Sequence, residues 1–168
     1  MRTIYSIFCL AILSIILPGC PSMYYLALEE PAERTVTIDT ELLGTWRSQH
    51  YSEDSTEIVI EKLNKKQYRI LSKVNTEGYG YTSSDFVGWI SKVGNRSLMS
   101  LNESSSLIYY FAEWEIKHGA LTVKLLSLPP ADKYDHSAQL NEFISSSYSN
   151  KTMYYDEDTK MIDLKKIR

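Results

Sequence analysis

The feature that most constrains the fold is a series of strand-like segments joined by tight turns, which runs from residue 43 to residue 128. In one of these segments Tyr68 and Ile70 fall on one face of an extended chain, whereas Arg69 and Lys73 fall on the other. An alternation with a period of two is typical of a strand with one buried face. The sequence therefore predicts a mainly β fold.

Further segments extend the series to the end of the chain, and tight turns join most neighbours. Gly94-Asn95 and His118-Gly119 are two-residue links that tolerate positive φ, so each predicts a hairpin. Gly78–Tyr81 predicts a loop at the mouth of a barrel. The predicted strands cover residues 43–46, 55–63, 67–74, 85–93, 96–101, 107–116, 119–128, 152–155 and 161–167.

One segment in the C-terminal half of the chain breaks the strand pattern. Leu140, Phe143 and Ile144 have the spacing i, i+3, i+4, which predicts a short amphipathic helix near residues 137–148. Such an apolar stripe needs a surface to pack against. We expect the helix to cover an opening or an edge of the sheet.

Strands that follow one another through tight turns form an antiparallel meander. A meander that closes, or nearly closes, removes the unpaired edges that would otherwise attract other chains. The sequence therefore predicts an open or closed barrel of about 8–9 antiparallel strands with one short helix.

A family resemblance is carried by the first predicted strand. Gly44-Thr45-Trp46 resembles the Gly-x-Trp motif of the lipocalins and their calycin relatives. The resemblance implies a lipocalin-like barrel in which Trp46 closes one end and stacks on a basic side chain of the last strand. Lys165, Lys166 and Arg168 are available there, and the planar guanidinium makes Arg168 the expected partner. An ordinary core tryptophan is the alternative.

The N-terminal residues have the pattern of an export signal. The apolar run from Ile4 to Leu17 has 14 residues, whereas a helix that spans a bilayer needs about 20. Arg2 precedes the run, and Pro18 follows it. A positive start, a short apolar core and small residues before a cleavage site predict a signal peptide over residues 1–19.

The end of that run contains a cysteine. Leu17-Pro18-Gly19-Cys20 resembles the bacterial lipobox, although Pro18 departs from its usual small residues. The resemblance implies that Cys20 is lipidated and becomes the membrane-anchored N-terminus of an exported lipoprotein. The chain is also similar to small uncharacterised bacterial lipoproteins that open with L-x-G-x-W. An unmodified cysteine after ordinary cleavage is the alternative.

The sequence therefore predicts three parts of the chain, namely a signal peptide (1–19), a lipid-anchored tether (20–40) and a barrel-like domain (41–168). The expected location is the cell envelope. In a cell with an outer membrane, Pro21 differs from the aspartate that resembles an inner-membrane retention signal. That difference favours the periplasmic face of the outer membrane.

Charge and motif patterns argue against several functions. The net charge is −3 and the isoelectric point about 5.6, so the chain lacks the basic surface that nucleic-acid binding requires. His50, His118 and His136 are isolated, and no nucleophile motif is present. The sequence predicts no metal, no cofactor and no catalytic residues.

Three functional interpretations follow. The favoured one is a non-catalytic binding module for an apolar small molecule or a protein partner of the envelope. The alternative is a structural or envelope-interaction lipoprotein with a filled barrel, and the third is a hydrolytic enzyme. A cavity of about 300 Å³ or more would favour ligand binding. Glu113 and Glu115 share one face of an apolar strand and are expected to face water.

Overall fold

Nine antiparallel strands, one α-helix and one turn of 3₁₀ helix make up the described part of the chain. The computed structural model describes residues 27–28, 36–48, 55–76, 80–104, 106–128, 134–150, 154–155 and 161–167. The strands are β1 (Gly44–Arg47), β2 (Ser55–Lys62), β3 (Gln67–Thr76), β4 (Gly80–Val93), β5 (Arg96–Glu103), β6 (Tyr109–Lys117), β7 (Ala120–Ser127), β8 (Tyr154–Tyr155) and β9 (Met161–Lys166). The helices are the 3₁₀ helix (Thr40–Leu42) and α1 (Ser137–Ser149).

Eight of these strands close into a barrel. Each strand from β1 to β7 pairs with the next, and β9 lies between β7 and β1, so the sheet has no free edge around the ring. The short strand β8 pairs with the end of β7 beside β9. The prediction of a mainly β, lipocalin-like meander barrel with one short helix is confirmed.

The predicted hairpin turns form because their residues tolerate a left-handed backbone. His118 and Gly119 have φ values of 51° and 71°, and Gly94 has a φ of 60°. A type I′ turn needs positive φ at both central residues, which fits the first of these links. Both hairpins of this kind are confirmed, and they join β6 to β7 and β4 to β5.

Strand β4 is longer than predicted. It begins at Gly80 and not at Asp85, and Tyr81 pairs across the hairpin with Asn75 of β3. The prediction of a loop over Gly78–Tyr81 is therefore wrong for its last two residues. The added stretch is polar on both faces, so hydrophobic periodicity could not show it.

The interior of the barrel is packed most tightly at the end where the chain enters, which we call the closed end. Trp46, Tyr68, Ile90 and Leu164 are almost fully buried there. The chain that precedes β1 crosses this end, and the Val36 N–H donates to the carbonyl of Ile90 at 3.0 Å. Residues before β1 thus pack as a cover on the barrel core.

The helix α1 covers the outer face of the barrel wall. Leu140 and Ile144 are fully buried in a second apolar cluster with the outward-facing Leu98 and Phe111. The prediction of a helix near residues 137–148 is confirmed, but the expectation that it covers an opening or an edge is wrong. The helix packs there because strands β4 to β7 carry apolar residues on both faces. The other members of the cluster are Leu28, Val93, Leu126 and Leu128.

Candidate functional site

The barrel interior contains a cavity of about 170 Å³ between the closed end and the opposite end. Strands β2 to β7 supply nearly all of its wall, because their side chains alternate between the interior and the outer face. The lining is mostly aliphatic and aromatic. It consists of Leu42, Ile58, Ile60, Ile70, Ser72, Ser84, Phe86, Met99, Leu101, Tyr110, Ala112, Trp114, Leu121, Val123 and Leu125.

The Gly-x-Trp segment forms part of the closed end. The indole N–H of Trp46 donates to the carbonyl of Leu42 at 2.8 Å, which ties the ring to the 3₁₀ helix. Lys166 lies directly across from Trp46 in β9, with its Nζ 5.2 Å from the ring centroid. Gly44 begins the strand with a φ of 132°, a region that favours glycine.

A lysine therefore stacks on the tryptophan in the described part of the chain. The Lys166 ammonium also donates to the carbonyl of Glu41 at 3.1 Å, so it joins β9 to the cover of the closed end. Arg168, the predicted stacking partner, lies outside the described residues, and its role stays a prediction.

A buried tyrosine adds a second tie at the closed end. The Tyr68 hydroxyl accepts a hydrogen bond from the Asp39 N–H, and its ring is fully buried. Burial raises the pKa of Tyr68 to about 12, so the hydroxyl stays neutral at physiological pH. Trp46 and Tyr68 are thus neutral groups of the closed end with satisfied hydrogen bonds.

The other half of the cavity is less tightly closed. Phe86 and Tyr110 point inward but keep partial exposure, and their rings meet edge to face at 6.1 Å. Ser72 and Ser84, which face each other across β3 and β4, supply hydroxyl groups there. The cavity therefore has an apolar lower part and a small polar rim, an arrangement suited to holding an apolar molecule.

The size of the cavity limits what it can hold. Its volume of about 170 Å³ is below the range of about 300–1,000 Å³ that is typical of sites for drug-sized ligands. Apolar cavities of about 150 Å³ nevertheless bind benzene or xenon. The volume of about 300 Å³ that would favour ligand binding over a filled interior is not reached, and the interior suits a smaller ligand.

The export features lie outside the described residues. The signal peptide 1–19, the lipobox and Cys20 all fall in that part of the chain. Among the residues that the structure describes, no helix has both the length and the apolar character needed to cross a bilayer.

The histidines do not form a site in the described part of the chain. His118 occupies the β6–β7 turn and His136 precedes α1, while His50 lies outside the described residues. Within the ranges given above, no three side chains of histidine, cysteine, aspartate or glutamate come together as metal ligands.

The outer face of the wall holds a polar cluster that the sequence did not predict. Glu113 is only 19% exposed, and its Oε1 accepts a hydrogen bond from Arg96 at 2.9 Å. Its Oε2 accepts one from the Tyr155 hydroxyl at 2.7 Å. The Arg96 guanidinium also lies 4.4 Å from the centroid of the Tyr148 ring in α1. We call these four residues the Glu113 cluster.

The prediction that Glu113 and Glu115 both face water is confirmed for Glu115 and wrong for Glu113. Glu115 is 53% exposed and pairs with Lys117 at 2.7 Å, so it does face water. Glu113 is instead largely buried and accepts a hydrogen bond from Tyr155, and its partner Arg96 lies against the Tyr148 ring of α1. The charge of Glu113 in an otherwise apolar strand was the only sign of the cluster in the sequence. The partners of Glu113 could not be predicted, because they lie in β5, α1 and β8, which are far apart in the sequence.

The environment of the cluster shifts the pKa values of its members. Burial opposes ionisation of Glu113, but its hydrogen bonds and the Arg96 charge outweigh that effect, so the pKa of Glu113 lies below 4.5. Burial and the same carboxylate raise the pKa of Tyr155 to about 12. They also raise the pKa of Tyr148, whose buried hydroxyl lacks a hydrogen bond of ordinary geometry. The cluster is therefore an ion pair between neutral tyrosines at physiological pH.

Comparison of the chain with protein-family models, with curated proteins and with solved structures finds no match.

Proposed function

We propose that the barrel is a non-catalytic module that binds one small apolar molecule in its interior. The observation that carries this proposal is the cavity of about 170 Å³, whose lining is almost entirely aliphatic and aromatic. Burial of apolar surface contributes a free energy of about 25 cal/mol per Å². An apolar molecule in the cavity is therefore bound without a charged partner. The absence of grouped titratable side chains in the cavity lining argues against acid–base chemistry there.

We also propose that the protein is an exported lipoprotein of the cell envelope, anchored through Cys20. Its support is the lipobox-like sequence after a short apolar run. Each buried CH₂ of an acyl chain contributes about 0.8 kcal/mol, so two or three chains hold a protein firmly at a membrane. We favour the periplasmic face of the outer membrane where the cell has one.

Ligand binding is tested with benzene and xenon as probes of the purified full chain. We expect saturable binding that Ala112→Leu weakens at least tenfold, because the larger side chain enters the cavity. Gly88→Ala is a second variant, since its Cβ would push Ile70 and Leu101 toward the interior. Val59→Leu on the outer face is the control. Equal binding by Ala112→Leu and the parent chain would refute the proposal.

The anchor is tested by separating membrane and soluble fractions and weighing the mature chain. We expect the parent chain in the membrane fraction, with the added mass of acyl groups on Cys20. The Cys20→Ala variant should leave the membrane. A variant that stays equally bound would contradict anchoring through this residue.

A second candidate is a structural or envelope-interaction lipoprotein. It is favoured by the small size of the cavity, because side chains fill most of the interior. Native mass spectrometry of the full chain from cell extract distinguishes the two. A bound small molecule supports the first function, whereas a bound protein without a small molecule supports the second.

A further inference from the structure

The barrel wall is incompletely paired between β5 and β6. In the described chain, backbone pairing joins these strands only where Met99–Asn102 faces Tyr109–Ala112. Toward the closed end, the first residues of β5 still pair with β4, and Glu113–Lys117 still pairs with β7. Neither stretch pairs with the other in the described ladder, which leaves a gap in the backbone pairing of the wall.

A groove of about 490 Å³ lies over this gap. Thr122 and Lys124 line it from the outer face of β7, whereas Ser97 and Trp114 occupy inward positions along their own strands. The groove therefore borders residues of both kinds along β5, β6 and β7. Trp114 also lines the interior cavity and packs against the barrel core. The volume of the groove is within the usual range for ligand sites.

The acidic side chains around the groove already have partners. Both carboxylate oxygens of Glu113 are engaged, by Arg96 at 2.9 Å and by Tyr155 at 2.7 Å. Glu115 pairs with Lys117 at 2.7 Å. These ion pairs leave no unpaired negative charge in the groove lining.

The ammonium of Lys124, in contrast, is not part of an ion pair within the described residues. It is the cross-strand neighbour of Glu113, yet no carboxylate of the described residues lies within salt-bridge distance of its ammonium. The ammonium instead lies 5.5 Å from the centroid of the Tyr155 ring. Within the described ranges, Lys124 is therefore a positive charge of the groove lining without an acidic partner.

Two hydroxyl groups belong to the groove lining. Ser97 accepts a hydrogen bond from the Lys92 ammonium at 2.6 Å, which leaves the hydroxyl proton of Ser97 to donate. Thr122 precedes Lys124 by two residues and so lies on the same face of β7. The phenol of Tyr155 adds aromatic surface.

We propose that this groove binds a small organic monoanion, such as an aromatic or short aliphatic carboxylate. Lys124 is the charge partner, the hydroxyl of Thr122 donates to the carboxylate, and the ring of Tyr155 contacts the apolar part. The site lies outside the barrel interior and does not depend on the apolar ligand.

The test is a titration of the purified full chain with benzoate and with neutral benzamide, followed by NMR. We expect benzoate to shift the amide signals of Ser97, Trp114 and Lys124, and benzamide to bind at least tenfold more weakly. Lys124→Gln should lower the affinity for benzoate at least tenfold. Lys73→Gln, which removes an outward lysine paired with Glu57 at 3.5 Å, should leave that affinity unchanged.

Thr122→Val is a second variant, expected to weaken benzoate binding severalfold while keeping the shape of the strand. Equal affinity for benzoate and benzamide, or unchanged binding in Lys124→Gln, would overturn the proposal. So would the lack of any benzoate binding at millimolar concentration. Loss of benzoate binding in the cavity variant Ala112→Leu would show that benzoate enters the interior, which overturns this inference and leaves the proposed apolar site standing.

Discussion

At the residue scale, Arg96 and Glu113 join parts of the molecule that the backbone leaves apart. The ion pair crosses the gap between β5 and β6, where no backbone hydrogen bond of the described ladder connects the strands. Tyr155 of β8 and Tyr148 of α1 pack on the same pair, so four elements meet at one carboxylate. A charge-assisted hydrogen bond of this kind is about twice as strong as a neutral one.

The pKa of Glu113 predicts how stability depends on pH. Because this pKa is lower in the folded chain than in the unfolded chain, ionised Glu113 stabilises the fold above about pH 4.5, and the stabilisation is lost as pH falls through the folded value. We expect Glu113→Gln to lower the free energy of unfolding at pH 7 and to flatten its decrease below pH 4.5. Urea unfolding at pH 7, 5, 4 and 3 measures both effects.

Glu57 serves as the matched control for that prediction. Its hydrogen bond with Arg47 also lowers its pKa, but it lies on the outer face away from α1. Glu57→Gln should change the acid limb of the stability curve without loosening the helix. If Glu113→Gln leaves the pH dependence of the parent chain intact, the ion pair does not stabilise the fold.

At the element scale, α1 stabilises the wall from outside the barrel. Leu140 and Ile144 are fully buried against apolar side chains of β5 and β6. The helix also contacts the chain that precedes the barrel, since the Asn141 side chain donates to the carbonyl of Leu28 at 2.7 Å. The helix thus holds an N-terminal segment and the barrel wall together.

Truncation of the buried helix residues should therefore be costly. We expect Ile144→Ala to lower the free energy of unfolding by about 2–5 kcal/mol, because it leaves a cavity in the second apolar cluster. Glu142→Ala, at an exposed position of the same helix, should change it by no more than about 0.5 kcal/mol. Urea unfolding followed by circular dichroism compares the two. Similar losses for both variants would show that α1 does not rely on this face.

The elements were more predictable than their arrangement. Periodicity and turn residues located the strands and α1, because both signals are local in sequence. They did not locate the surface under α1, since an apolar stripe shows that a helix needs a partner without naming it. They also could not show that Lys166 lies across from Trp46, because that register depends on how β9 enters the ring.

The candidate sites were less predictable still. The cavity depends on small differences between side-chain volumes in a common interior, which no local pattern reports. The groove depends on where two neighbouring strands stop pairing, although both read as regular strands in the sequence. Only the isolated charge of Glu113 in an apolar strand gave a signal.

At the scale of the whole molecule, the barrel combines a packed closed end with an interior that side chains do not fill completely. Trp46 and Tyr68 fill the closed end, whereas the side chains that line the cavity leave about 170 Å³ empty. Voids of this kind cost stability, because the atoms around them lose dispersion contacts. The chain therefore retains an apolar void that larger side chains could have filled.

Replacement of two alanine residues by leucine tests this difference between filled and unfilled regions. Ala112 lines the cavity, so Ala112→Leu should leave the melting temperature unchanged or raise it. Ala120 is buried outside the cavity lining, so Ala120→Leu should overpack its site and lower the free energy of unfolding by about 1–3 kcal/mol. Calorimetry of both variants gives the comparison. A destabilised Ala112→Leu would indicate that the void is absent in solution.

The position of β9 also determines when the barrel can form. β9 supplies the last two pairings of the ring, and one of them joins Trp46 to Lys166, which are 120 residues apart. Contacts of such large sequence separation are slow to form, because the entropy of closing a long loop is lost before the contact stabilises the chain. The strands β1 to β7 can assemble earlier as an open meander of local hairpins. Until β9 docks, the edges of β1 and β7 stay unpaired, and the half-folded chain is open to edge-to-edge association with its neighbours.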